Sequence, residues 1–286
     1  MPRESLAGNA ALDAADASPM HGGAADPILQ VEDLVACYGT QRVLDGVSLA
    51  IQPGEIHVIM GGSGSGKSTL LRHLLGLNLP VSGRVRLFGK DINRIDGQQL
   101  FELRRKTGVS FQGGALFNSM TVGENVCFPL REHTKLDDRT IRIMSRMKLE
   151  VVNLAGCEDL MPAQLSGGML KRAALARAIV MDPRLLFFDE PSAGLDPIVS
   201  AELDELILRL RESMNVTMLV VTHELDSAFK IADRITVLDR GRVLMTGTVD
   251  EIKASNIARV HGLVNRIAEN EIVDVDAYLR RLTGMD

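Results

Sequence analysis

An α/β core around a largely parallel sheet, with a β-rich segment before it and a helical insertion within it, is the fold class this sequence predicts. Three observations carry the prediction. Short apolar segments bounded by turn residues crowd the first third, and from Leu185 onward such segments alternate with helical stretches. Between about residues 113 and 180 the spacing is helical, with no convincing strand. A length of 286 residues at 45% hydrophobic content is ample for a substantial core.

In chain order, strands are expected over 28–34, 43–51, 56–60, 84–88 and 109–111, and a helix over 69–75 follows the third of them. Helices are expected within 137–147, 166–181 and 197–214. In the last, Leu203, Leu206, Ile207 and Leu210 share one face, while Asp196 and Pro197 supply an N-cap and a first-turn proline. Short strands return at 185–188 and 216–221, then at 234–238 and 242–245 as a hairpin around Gly241. Residues 1–27, rich in Ala, Gly, Asp and Ser, read as a disordered N-terminal tail without the features of a secretory signal.

Charge and cysteine content exclude several classes. With 32 basic and 37 acidic side chains the net charge is −5, so no overall field favours nucleic acid. Cys37, Cys127 and Cys157 are too few and too scattered for a disulfide framework or a zinc site, and read as small buried hydrophobes in a reducing compartment. Apolar runs such as 185–188 and 218–221 are far shorter than a membrane span. A cytoplasmic location is expected, with any membrane role supplied by a partner.

Gly61-Gly62-Ser63-Gly64-Ser65-Gly66-Lys67-Ser68 fits GxxxxGK(S/T), between an expected strand and the helical run opened by Thr69. The glycines let consecutive N–H groups face a β-phosphate, Lys67 brings a mobile charge to the β and γ oxygens, and Ser68 offers a hydroxyl to Mg²⁺. Kinases, GTPases and helicases all share such a loop. The strand 185–188 ends in Asp189 and Glu190, which carries carboxylates to the sheet edge where ligands bind. Asp189 is placed to hold Mg²⁺, and Glu190 to orient or deprotonate an attacking water. His223 ends another strand, as a partner for the γ-phosphate or as a structural cap. Gln112 follows a third strand, with an amide able to reach the metal or the water; taken alone it is an ordinary loop residue.

A second anion-binding helix terminus follows about a hundred residues after the first. Leu165-Ser166-Gly167-Gly168-Met169 places a capping Ser and two bare Gly backbones before a long Ala- and Leu-rich helix.

Over about residues 28–247 the chain resembles the ATPase subunits of ATP-binding cassette (ABC) transporters. The family landmarks occur in the family's order: an adenine-stacking aromatic at Tyr38, the phosphate loop, a glutamine loop at Gln112, and the signature at 165–169. The acidic strand end at Asp189 and Glu190, the loop Ser192-Ala193-Gly194-Leu195-Asp196 and a switch histidine at His223 complete the series. The resemblance implies a phosphate-loop α/β core, an antiparallel β subdomain and a helical subdomain over about 113–180. It implies ATP and Mg²⁺ as cofactors, with Ser68, Gln112 and Asp189 toward the metal. It also implies a head-to-tail homodimer in which Ser166, Gly167 and Gly168 of one chain close over ATP on the phosphate loop of the other, with Asp196 beside it.

A single cassette without membrane spans implies separate integral-membrane permease subunits that dock beside Gln112. Gly114-Ala115-Leu116-Phe117 through Asn125, and Phe128-Pro129-Leu130-Arg131-Glu132-His133-Thr134, are similar to the Mla-type ATPases. So are Met161-Pro162 before the signature and Lys171-Arg172-Ala173-Ala174-Leu175-Ala176-Arg177-Ala178 after it. That likeness implies phospholipid traffic between Gram-negative membranes, with an MCE-domain protein and a small regulatory subunit as further candidate partners. The loop at 192–196 has the common ABC form where Mla-type ATPases often carry Phe-Val-Gly-Gln-Asp, which leaves an MCE importer of other lipids open. Two further alternatives are another ABC importer or exporter and a soluble, non-transport ABC ATPase. The extension 248–286 carries Leu263, Ile267, Ile272, Val275, Tyr278 and Leu279, and reads either as a helical end on its own subunit or as an arm to a partner.

Overall fold

The computed structural model describes residues 26–267. Most of the expected N-terminal tail, and Ile272, Val275, Tyr278 and Leu279 of the extension, lie outside the described residues.

β1 (Leu29–Tyr38) and β2 (Gln41–Ile51) pair antiparallel. β1 runs four residues past the expected end at Leu34, because Asp33 takes a left-handed φ of 46° and shifts the register there. The inward set Leu29 and Val31 continues out of phase as Leu34 and Ala36, so strict alternation breaks where the strand does not. β3 (Ile56–Met60) is buried along its whole length and leads into α1 (Lys67–Leu74). β4 (Ser82–Leu87) joins β1 antiparallel and is followed by the short β5 (Lys90–Asp91). Next come α2 (Gly97–Arg104) and β6 (Thr107–Ser110).

The segment after β6 is helical, as expected. It holds α3 (Val122–His133), α4 (Asp138–Val151), a 3₁₀ turn at Pro162–Gln164 and α5 (Gly167–Ile179). The sequence reading assigned no helix to α2 or α3. α3 contains Gly123 and Pro129, which read as breakers, yet it opens on a capping box in which Thr121 and Glu124 satisfy each other's backbone N–H groups. Tertiary packing overrides the proline: Val122, Val126 and Leu130 are buried against α4 and α5.

β7 (Leu185–Asp189), α6 (Pro197–Met214), β8 (Thr217–Thr222), α7 (Leu225–Ile231) and the hairpin β9 (Arg234–Asp239) and β10 (Arg242–Gly247) follow. The hairpin turns through Arg240 and Gly241, both at positive φ. A β-carbon on Gly241 would lie 2.2 Å from the Val43 carbonyl oxygen, so glycine is required there for space as well. α8 (Val249–Lys253) and α9 (Ala258–Val264) bring Ile252 and Val260 into the same chain's core.

The antiparallel sheet has the order β2-β1-β4-β5 and the mainly parallel sheet β10-β9-β3-β8-β7-β6. The central strands bury both faces, and their residues divide by period two between two cores. Ile56, Val58, Met60, Leu186, Phe188, Met218 and Val220 face the helical side, whereas Ile59, Leu185, Phe187, Leu219 and Val221 face α1 and the antiparallel sheet.

One buried polar residue fixes the start of the helical segment. Asn125, fully buried, accepts from the Phe117 N–H at 2.8 Å and donates to the carbonyls of Phe117, Met120 and Thr121 at 3.1, 3.2 and 3.0 Å. Asn125→Ala strands these groups out of reach of water, at a cost of about 2–4 kcal/mol. The expected fall in Tm is roughly 5–10 °C by calorimetry, and a shift below about 2 °C contradicts this assignment.

Candidate functional site

Four parallel strands deliver their C-terminal ends side by side. Met60 pairs with Thr222, Val221 with Asp189, and Phe188 with Ser110. The next residues of β3, β8, β7 and β6 therefore emerge together as the phosphate loop, His223, Glu190 and the Gln112 loop.

The loop 61–66 is shaped for close approach. Gly64 and Gly66 have φ of 73° and 104°. A β-carbon on Gly61 would fall 2.1 Å from the Leu238 carbonyl oxygen, and one on Gly66 would fall 2.8 Å from Leu44 Cδ2. Gly66 caps α1 with no side-chain acceptor, and no acidic residue occupies the first turn, where Ser68 and Thr69 lie. The N–H groups thus face an anion with a favourable dipole. Lys67 Nζ donates to the carbonyls of Gly61 and Gly62 at 2.8 and 3.0 Å, spanning the mouth of the loop. Burial lowers its pKa, opposed by Glu190 and Asp189. Ser63 and Ser68 are exposed; Ser65 is buried and its hydroxyl has no protein partner.

Asp189 lies at the end of β7 among three cations, Lys171, Arg72 and Lys67. Burial raises its pKa first and the Glu190 carboxylate second, while those cations lower it. Glu190 has a φ of 49°, uncommon for a residue with a side chain, and its N–H donates to the Val221 carbonyl at 2.8 Å. Its Oε2 accepts from His223 Nδ1 at 2.8 Å and from the His223 N–H at 3.3 Å. A carboxylate only accepts, so Nδ1 carries the proton in this contact and Nε2 is left to face solvent and Glu224, 3.6 Å away. The carboxylate is largely enclosed whereas the imidazole is more than half exposed, the difference expected between a fixed group and a movable one.

The remaining sequence-derived residues fall around this edge. Tyr38 ends β1 with its ring exposed, and its hydroxyl is held near Thr69, Arg72 and Asn78; hydrogen bonds to Thr69 and then Arg72 lower its pKa. Gln112 is exposed just past β6. Asp196 does local work: it accepts from the N–H groups of Ile198 and Val199 at 3.1 Å each, as the N-cap of α6.

Ser166 caps α5, accepting from the Met169 N–H at 3.3 Å, and Ser166 and Gly167 are exposed. Among the described residues no hydrogen bond or ion pair joins 165–169 to the phosphate loop. The chain therefore presents two helix termini, at 66–69 and 166–169, each with free first-turn N–H groups and no acidic residue in its first turn.

Sequence reasoning missed the cations that organise the edge. Lys171 is buried and donates to the carbonyls of Gln112 and Glu190. Arg177 donates to the carbonyls of Ala115 and Gly114 at 2.7 and 2.8 Å. A signal was present, since Lys171 falls with Ala174, Leu175 and Ala178 on an i, i+3, i+4, i+7 stripe that is otherwise apolar.

The residues fit a magnesium nucleotide. The hydroxyl of Ser68, the amide of Gln112 and the carboxylate of Asp189 are hard oxygen donors suited to Mg²⁺, and the orphaned Ser65 hydroxyl lies inside the glycine cradle.

A family model described as ABC transporter matches residues 44–193. The intermembrane phospholipid transport system ATP-binding protein MlaF of Haemophilus influenzae is 42% identical over 233 residues, 82% of this chain and 88% of that protein. The probable ribonucleotide transport ATP-binding protein mkl of Mycobacterium leprae is 40% identical over 83% of this chain and 68% of its own length. Among solved structures, the dimeric post-hydrolysis state of the ATP-binding cassette MJ0796 bound to ADP and Pi superposes with a TM-score of 0.72. It is 31% identical and covers 77% of this chain and 98% of its own.

Proposed function

The chain belongs to the ABC transporter family of ATP-hydrolysing subunits, and on that premise we propose that it is the motor of a complex moving phospholipid between bacterial membranes with MCE-type partners. The observation that carries the catalytic part is Glu190: an enclosed carboxylate at the strand edge beside the phosphate loop, braced by His223 at 2.8 Å. In this reading the loop N–H groups and Lys67 bind the β and γ phosphates, Tyr38 stacks on adenine, and Glu190 takes a proton from the attacking water. Ser68, Gln112 and Asp189 would hold Mg²⁺, which would supply charge neutralisation at the phosphates. His223 turns from Glu190 toward the γ-phosphate when nucleotide is intact.

The signature residues Ser166, Gly167 and Gly168 serve the γ-phosphate of a second copy of this chain, with the loop at Asp196 beside it. The exposure of Ser166 and Gly167 at the start of α5, with no hydrogen bond to their own phosphate loop among the described residues, supports a head-to-tail dimer. The cassette comprises residues 28–247, with its helical subdomain over about 113–180. No helix among the described residues is long and apolar enough to cross a membrane. In this reading the chain attaches at the cytoplasmic face through permease subunits. An apolar cavity of about 260 Å³ beside the Gln112 loop, lined by Leu77, Leu100, Val109 and Phe111, supports docking there. A second reading, a motor for another importer or exporter, is favoured by the likeness to mkl and by the common ABC form of residues 192–196.

Recovery of the tagged full chain from membranes tests the assignment: co-purification of a permease together with an MCE-domain protein supports it, and an unrelated permease alone overturns it. Lys67→Ala removes the ammonium assigned here to the β and γ phosphates, and kcat/KM for ATP is expected to fall about 100-fold or more. Turnover within a few-fold of native contradicts the role given to Lys67.

A further inference from the structure

Lys171 is a cation on the buried stripe of α5, 7% exposed, in a position where a methionine would pack without loss of hydration. Its ammonium donates to two backbone carbonyls from different parts of the site, that of Gln112 and, at 3.2 Å, that of Glu190. Lys171 engages neither side chain: the Glu190 carboxylate keeps its contacts to His223 and the Gln112 side chain stays exposed. The Glu190 carbonyl also accepts from the Ala193 N–H at 3.2 Å, while the Glu190 N–H is held by Val221. The left-handed turn that aims this carboxylate is thus fixed on one side by β8 and on the other by the signature helix. Arg177, six residues further along α5, takes carbonyls of the same loop, at Gly114 and Ala115.

We propose that Lys171 is a positioning residue, tying the backbones of Glu190 and Gln112 to the signature helix so that general base and glutamine loop move with α5. When ATP draws α5 of one chain onto the phosphate loop of its partner, that displacement reaches the partner-facing chain's own Glu190 through one ammonium. Burial lowers the Lys171 pKa, and the charges of Asp189 and then Glu190 oppose that shift. The inference rests on the reading of Glu190 as general base.

The test compares steady-state ATP hydrolysis by the full-length chain with that of K171M, K171R and K171Q, with mant-ATP binding as the measure of affinity and E190Q assayed in parallel. K171M is expected to lower kcat about 10- to 100-fold with KM and mant-ATP affinity within about twofold of native. K171R, which keeps charge and two donors, restores kcat to within about threefold. K171Q, which is uncharged and has a shorter reach, falls between them and is read on the same scale if K171M fails to fold by circular dichroism. A K171M kcat within about twofold of native overturns the proposal. So does a loss of kcat matched by an equal loss of affinity and not rescued by K171R, because that is the signature of general destabilisation. If E190Q itself retains turnover, the general-base reading fails first; if E190Q is inactive and K171M is native-like, only the role of Lys171 fails.

Discussion

Replacing Glu190 by Gln is expected to lower kcat about 10²- to 10⁴-fold while ATP binding is preserved. The amide has the size and shape of the carboxylate but cannot take a proton. The backbone that places it, at a φ of 49° with its N–H on Val221 and its carbonyl on Ala193, is untouched by the change. The phosphate contacts proposed for the loop at 61–66 and Lys67 do not use the Glu190 side chain, which no hydrogen bond joins to Lys67. ATP therefore enters, the two chains close on it, and the step that reopens them is lost. Gel filtration of E190Q with Mg²⁺ and ATP is expected to show a dimer that persists, where the native chain returns to monomer as ATP is consumed. Substantial turnover by E190Q in the assembled complex rejects the assignment.

Gly167→Asp is expected to abolish turnover by about 100-fold or more, through a site on the other chain. Within its own chain the substitution is mild. A β-carbon there meets only Leu195 Cδ2 at 3.6 Å, ordinary contact, and φ at Gly167 is not left-handed. A carboxylate in the first turn of α5, which has no acidic residue there, favours the helix dipole. Tm is therefore unchanged or slightly raised. What the new carboxylate cannot do is share the helix terminus with a phosphate, because both are anions seeking the same N–H groups. Gly168 is the poorer probe: a β-carbon there lies 2.6 Å from Val199 Cγ1, so any substitution also disturbs the packing of α5 on α6. A Gly167→Asp chain with native turnover removes the signature from the active site.

Much of this site was legible in the sequence because its parts are local. A strand, a glycine loop and a helix follow one another within 56–74, and an apolar strand ends in Asp189 and Glu190 within 185–190. Each is written by neighbouring residues, as is the start of α6 at Asp196 and Pro197. Contacts distant in sequence were not legible. Glu190 meets His223 across 33 residues, and Lys171 meets Gln112 across 59, only because β6, β7 and β8 end at one edge. Proximity of that kind is a property of strand order, which no local pattern states. The misread elements have a related cause. α3 carries Pro129 and Gly123 because tertiary burial outweighs helix propensity, and β1 continues past Leu34 because a bulge at Asp33 resets its alternation.

The central claim is that the catalytic site is shared between two copies of the chain, and mixing two inactive variants tests it most directly. Lys67→Ala leaves the signature intact, and Gly167→Asp leaves the phosphate loop and Glu190 intact. In a mixed dimer the loop of the second faces the signature of the first, which makes one complete site. The account predicts that each variant alone is inactive and that an equimolar mixture recovers up to about a quarter of native ATPase activity, since half the dimers are mixed and each has one complete site of two. A mixture no more active than its separate components contradicts it.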